Sequence, residues 1–246
     1  MHRYNLGFIA DDEIFEIVKS TVLKYRTGIS LAQFNKNIVD PIKLTFDSKV
    51  YQKSIKEAIM DECIRQLDKS NANATGAFHQ YLFSYAKDDW QIPNKGFDLI
   101  NDREHIYCEI KNKHNTMNAA SSQKTYIQMQ DKLLDDDKAT CYLVEVIAKQ
   151  SQNIPWSIKL NGKSYSHKRI RRISMDRFYY IVFNDEKAFY KLCVALPLII
   201  DDVIEEGGGA TTISNTVFEE LEEAYSKDIL KSLYTMAFKT YEGFNE

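Results

Sequence analysis

The sequence has no CxxC pair, no apolar run long enough to cross a bilayer and no surplus of positive charge. Each absence removes a class of function. The four cysteines, Cys63, Cys108, Cys141 and Cys193, lie far apart among apolar residues. That argues against a zinc site or redox pair and for buried, reduced thiols in a cytoplasmic protein. The longest apolar stretch, LCVALPLII at 192–200, is too short for a spanning helix and contains Pro197, so it reads as a buried helix. The N-terminus, MHRYNLGFIADDE, shows no basic region followed by an apolar one, and no signal peptide is expected. Lys and Arg number 32 against 35 Asp and Glu, a net charge of −3. A nucleic-acid partner therefore needs a local basic patch.

What is present suits a globular chain. Hydrophobic residues make up 44% and charged residues 27% of 246, which excludes a disordered protein and fits one large domain or two small ones. Fifteen tyrosines and thirteen phenylalanines supply material for a core.

Apolar residues at helical spacing predict helices over 11–26 (Ile14, Ile17, Val18, Val22) and 49–68 (Ile55, Ile59, Cys63, Leu67). A shorter aromatic helix is expected over 77–86, after the turn-like SNANATG. The pattern then changes. Segments 96–100 and 105–111 alternate with period two around the turn-rich NDRE, which predicts a β-hairpin. A helix is expected over 118–134, with Asn118 as its N-cap. Strands are expected over 140–148, 156–160 and 169–174, with NGKS at 161–164 as a turn. Helices follow near 175–183 and 185–200. GGG at 207–209 marks a loop before one or two C-terminal helices. The whole reads as a single α/β domain over 1–246, with helical additions at the N-terminus (about 1–90) and the C-terminus (about 210–246).

The hairpin carries the chemistry. Residues two apart in a strand share a face. Ile106, Cys108 and Ile110 then point into the core, while Tyr107, Glu109 and Lys111 point the other way. Phe97 and Leu99 share a side, leaving Asp98 on the opposite one. A turn centred on Asp102–Arg103 sets Asp98 opposite Tyr107, with Glu109 diagonal to it, roughly 7 Å away between backbones. Two carboxylates and an ammonium converge. Mg²⁺ takes one or two carboxylates and keeps waters and phosphate oxygens for the rest. Asp98 and Glu109 can supply those ligands, with the Ile110 carbonyl as a third, and Lys111 can stabilise developing negative charge. The same spacing also describes a solvated strand face with a cross-strand ion pair, and spacing alone does not separate the two.

The segment resembles the core of the PD-(D/E)XK nuclease superfamily. EIKNKHNTMNAASSQKTY (109–126), CYLVEVIAKQSQNIPW (141–156), HKRIRRISMDRFY (167–179), FNKNIVDPIKLTFD (34–47) and NATGAFHQYLF (73–83) extend the likeness. Together they resemble the type II restriction endonucleases that recognise GGNCC-like palindromes, over about residues 5–240. The resemblance implies a mixed central sheet flanked by helices, and Asp98, Glu109 and Lys111 as the catalytic motif. The superfamily's name-giving proline is absent, since Phe97 precedes the aspartate. Many relatives add an acidic residue on the helix before the hairpin, for which Glu57 and Glu62 are candidates. The implied activity is Mg²⁺-dependent cleavage of double-stranded DNA by a homodimer. A cognate methyltransferase would act on the same site. A structure-selective repair nuclease with the same core is the rival reading.

Two further clusters suit DNA. Asn112, Lys113, His114, Asn115 and Asn118 crowd the loop after Lys111, before a helix N-terminus that favours anions. His167, Lys168, Arg169, Arg171 and Arg172 form the strongest positive cluster, suited to phosphate or to guanine. Both also describe ordinary surface: a capped loop and a solvated basic strand. His79 reads as a satisfied, half-buried histidine. Trp90 and Trp156 read as packing residues, and DDD at 135–137 as a solvated loop.

Overall fold

Three acids begin the first helix, α1 (Asp11–Val22), at the positive end of its dipole. A short strand, β1 (Gly28–Ile29), and a short helix, α2 (Leu31–Asn35), follow. Pro41 opens α3 (Pro41–Val50), and the Asp40 side chain accepts the N–H groups of Ile42 and Lys43. α4 (Ile55–Ser84) runs for 30 residues. It absorbs both the helix expected over 49–68 and the one over 77–86, because SNANATG is helical. That segment has no proline, and a single mid-helix glycine, Gly76, costs only about 1 kcal/mol against alanine. Buried Phe78, Leu82 and Phe83 outweigh it.

Strands β2 (Trp90–Gln91), β3 (Leu99–Asn101) and β4 (Ile106–Lys113) come next, then α5 (Ala119–Asp135). Asn118 caps α5 as expected, accepting the N–H of Ser121 at 2.8 Å. β5 (Thr140–Ile147), β6 (Asn153–Leu160) and β7 (Lys163–Ser174) complete the sheet. α6 (Met175–Phe183) and α7 (Ala188–Gly207) follow, then β8 (Ser214–Asn215), α8 (Val217–Ala224) and α9 (Ile229–Phe238).

This computed structural model describes residues 3–37, 39–86, 89–160, 162–207, 214–224 and 228–238. Where the sequence reads as one domain with helical additions, the backbone divides into two compact units. One comprises Met1–Leu23 and Thr75–Gly208, the other Lys24–Ala74 and Gly209–Glu246. Each has its own apolar cluster. Phe34, Leu44, Ile59, Cys63, Val217 and Leu221 centre the second unit, whose β1 and β8 pair in parallel.

The first unit is mixed α/β. Its six-stranded sheet has the order β2-β3-β4-β5-β7-β6. The inner pairs β4–β5 and β5–β7 are parallel, and the outer pairs are antiparallel. Helices cover both faces, so the central strands are apolar on both sides. Cys108, Ile110, Tyr142, Val144 and Ile173 pack into a cluster with Ile14, Phe178 and Leu192. Tyr107, Cys141, Leu143 and Ile170 pack against Tyr126 and Met129 of α5 and against Trp156. Pro155 is tolerated in β6 because that strand lies at the sheet edge. Trp90 and Trp156 are both buried, in keeping with packing roles.

Three further expectations change. The hairpin pairs Leu99 with Cys108 and Asn101 with Ile106, so its turn spans residues 102–105 rather than centring on Asp102–Arg103. His105 accommodates this with a φ of 55°. The register moves by two residues, which preserves every face. The helix over 192–200 is not buried all round, since α7 leaves Tyr190, Val194 and Leu198 exposed. Cys193 lies on that outer surface too, while the other three cysteines are buried.

Candidate active site

The geometry begins where the ladder between β3 and β4 stops. Beyond the Leu99–Cys108 pair, the Asp98 N–H donates to the Cys108 carbonyl at 2.9 Å. Asp98 itself lies just past the last paired residue of β3. The Ile110 N–H, past the end of β3, has no strand carbonyl to meet on that side. It donates instead to Asp98 Oδ2 at 2.8 Å. The aspartate thus stands in for the missing strand and is fixed by it.

Lys111 closes the group. Its Nζ lies 2.9 Å from Glu109 Oε2 and 3.8 Å from Asp98 Oδ2. The Glu109 side chain is 11% exposed, against 30% for Asp98 and 30% for Lys111. The structure therefore brings these three residues together at the rim of the sheet, with one carboxylate set deep and two groups reaching out.

Burial, and then the neighbouring Asp98 charge, push the Glu109 carboxyl above the usual carboxylate range, and Lys111 offsets part of this. A cation between the two acids would relieve both causes. Gln128 of α5 reaches toward the same place. Its amide favours the charged form of Glu109, yet Nε2 is buried without a well-aligned hydrogen-bond partner. Among the described residues no group of three or more His, Cys, Asp or Glu side chains forms a metal cluster. Two carboxylates fit a hard cation that keeps its own waters better than they fit zinc.

Residues 6–205 match the family model described as Eco47II restriction endonuclease. The chain belongs to that family. It is 32% identical over 228 residues to the type II restriction enzyme Sau96I of Staphylococcus aureus, covering 88% of this chain and 87% of that one. It is 27% identical over 215 residues to the type II restriction enzyme Eco47II of Escherichia coli, covering 82% and 89%. The protein is thus a restriction endonuclease, an enzyme that cuts double-stranded DNA. Among the described residues no helix is long and apolar enough to cross a membrane.

In this restriction endonuclease the end of β4 and the polar loop after it are open. Asn112, Lys113 and Asn115 are exposed, and Asn118 is occupied in capping. The basic cluster is more divided than its sequence suggests, because β7 sends alternate residues to opposite faces. Lys168 is exposed. The ring of His167 accepts the Arg169 N–H, and Arg169 donates to the Asp137 carbonyl. Arg171 donates to the side chain and carbonyl of Asn153 and to the Lys168 carbonyl. Arg172 turns inward, its Nε 3.0 Å from Glu145 Oε1 at an angle too poor for a hydrogen bond.

Glu57 and Glu62 are both engaged within the second unit. Glu57 accepts from Ser54, and Glu62 accepts from Arg65 and Gln66. His79 is satisfied by the Tyr179 hydroxyl at 2.9 Å, and burial pushes its imidazole down to about 4. Within DDD, Asp136 is tied down: it accepts from His105 at 2.8 Å and from Tyr107 at 3.4 Å.

Sequence reasoning missed Glu145. This residue of β5 pairs in register with Lys111 and is 1% exposed. Its signal was present: it is an acid inside the apolar run CYLVEVIA, as Glu109 is an acid between Cys108 and Ile110. Gln128 carried no comparable signal, since a glutamine on a polar helix is ordinary.

Proposed function

We propose that this chain is an Mg²⁺-dependent type II enzyme of the PD-(D/E)XK kind, which cuts DNA within a short, GGNCC-like palindrome and leaves 5′-phosphates. The convergence of Asp98, Glu109 and Lys111 carries the reading. In it, Asp98 and Glu109 hold the ion, with the Ile110 carbonyl as a further ligand. When bound, Mg²⁺ acidifies a water and neutralises charge on the phosphorus centre as the bond breaks. Lys111, already oriented by both acids, shifts toward the scissile phosphate and stabilises its developing charge.

DNA is gripped by the end of β4 and the loop after it, through Asn112, Lys113, His114, Asn115 and Asn118, and by the basic strand of His167, Lys168, Arg169, Arg171 and Arg172. Arg169 and Arg171 are held by internal bonds, while the exposed Lys168 faces solvent and is available to phosphate. A palindrome has two-fold symmetry and is matched most simply by a two-fold homodimer. A methyltransferase acting on the same sequence would protect the host.

Digestion of a sequenced phage genome with Mg²⁺, followed by mapping of every end, tests the proposal. Discrete ends within GGNCC-like sites are expected. Nicking that follows junctions or lesions rather than sequence would move the assignment to a repair nuclease.

A further inference from the structure

Beside the three-residue group lies a second cluster whose buried centre, Glu145, has no part in the proposed chemistry. Glu145 is almost fully buried. It stands on the strand next to the catalytic one, in register with Lys111 on one side and with Ser174 of β7 on the other. Parity sets its side chain on the same sheet face as Glu109 and Lys111. Two nitrogen-bearing side chains converge on it. His114 Nδ1 lies 3.2 Å from Oε1 and 3.3 Å from Oε2, and Arg172 Nε lies 3.0 Å from Oε1. Arg172 also donates to the His114 carbonyl at 3.5 Å and stacks over Trp156 at 5.9 Å.

The arrangement does more than tie strands together. A carboxylate against Nδ1 assigns that nitrogen the hydrogen and turns Nε2 away from Glu145. The His114 side chain remains 25% exposed and that of Arg172 remains 21% exposed. Both therefore present an edge outward, in orientations set from below. Neighbouring strands lie about 4.8 Å apart. Each DNA strand carries a phosphate about every 3.4 Å along the helix axis. A duplex with one phosphate at Lys111 brings the next within one or two strand spacings of this pair.

We propose that Glu145 is a positioning residue which holds His114 and Arg172 as a preset clamp for a phosphate flanking the one that is cut. This rests on the reading of Asp98, Glu109 and Lys111 as the cleavage site. Glu145 itself touches no DNA. It acts by fixing two groups that do, much as outer carboxylates orient histidine ligands at metal centres.

The test uses the full chain with Mg²⁺ and duplexes carrying the mapped site. Methylphosphonates replace, one at a time, the phosphates on either side of the cut. Wild-type cleavage should slow on the order of 10- to 100-fold at one flanking position. Glu145→Gln and His114→Ala should each slow cleavage of the unmodified duplex by a similar factor and become indifferent to that methylphosphonate. Their double variant should be no slower than the worse single one. Wild type that tolerates a methylphosphonate at every flanking position overturns the proposal. So does Glu145→Gln that melts earlier but cuts at the wild-type rate. Should Glu145→Gln fail to fold, His114→Ala, which keeps the Glu145–Arg172 pair, decides alone: undiminished cleavage refutes the clamp. Asp98→Asn runs alongside. An active Asp98→Asn removes the cleavage-site reading and this proposal with it. An inert Asp98→Asn beside an unaffected Glu145→Gln removes the clamp only.

Discussion

The Asp98 carboxylate accepts the backbone N–H of Ile110 at 2.8 Å, across the end of a strand that has run out of partners. One hydrogen bond thereby sets a carboxylate 3.8 Å from the Lys111 ammonium, which lies 2.9 Å from Glu109. The relationship joins the two strands of a single hairpin.

Glu109 makes the site costly to the fold. Its carboxyl is raised above the usual range by burial and by Asp98. The folded protein holds that proton more tightly than the unfolded chain. Its stabilising share is complete below the ordinary carboxylate value and is lost as pH rises through the raised one. Glu109→Gln removes this loss. Measured without divalent ions, its melting temperature should gain on wild type as pH rises through that window, while cleavage disappears. A difference constant with pH would count against the electrostatic account.

Mg²⁺ should raise the melting temperature of wild type, by about 2.7 kcal/mol of stability at a hundredfold excess over the dissociation constant. Asp98→Asn and Glu109→Gln should lose most of that gain. Ca²⁺ should support DNA binding yet cut poorly, because its looser coordination positions water less strictly. Equal thermal shifts in all three proteins would place the ion elsewhere.

Lys111→Ala should slow cleavage by on the order of 10²- to 10³-fold. Binding to a cognate duplex in Ca²⁺ should change little. A parallel collapse of binding would make Lys111 a DNA anchor instead.

The basic strand divides into two kinds of residue. Lys168→Ala should leave folding intact and reduce the slope of log affinity against log salt by about one. Arg171→Ala removes donors to Asn153 and should cost about 1–2 kcal/mol in denaturant unfolding. A salt slope unchanged in Lys168→Ala would remove it from the phosphate contacts.

Much of this architecture was legible in the sequence, for definite reasons. Period-two runs found the hairpin, and the apolar run around Leu143 found a strand covered on both faces. Asn118 announced the start of α5. The shared face of Asp98, Glu109 and Lys111 depended only on parity, so it survived a hairpin register displaced by two residues. That displacement was not legible, because it hangs on His105 adopting a left-handed backbone. The continuity of α4 was hidden by a segment rich in turn-forming residues, whose helical state is fixed by the packing of Phe78 and Leu82. The inward turn of Arg172 was hidden too. A run of arginines looks like surface until a buried acid on the adjacent strand, Glu145, is seen to claim one of them.

The central claim is that DNA is cut where Asp98 and Glu109 meet Lys111. The most direct measurement is single-turnover cleavage of a cognate duplex by Asp98→Asn in saturating Mg²⁺, with binding followed on the same sample. Asparagine keeps an oxygen for the Ile110 N–H, so the fold and the grip on DNA should persist while cleavage falls below detection. An Asp98→Asn protein that folds, binds and still cuts at a rate near wild type would contradict the account.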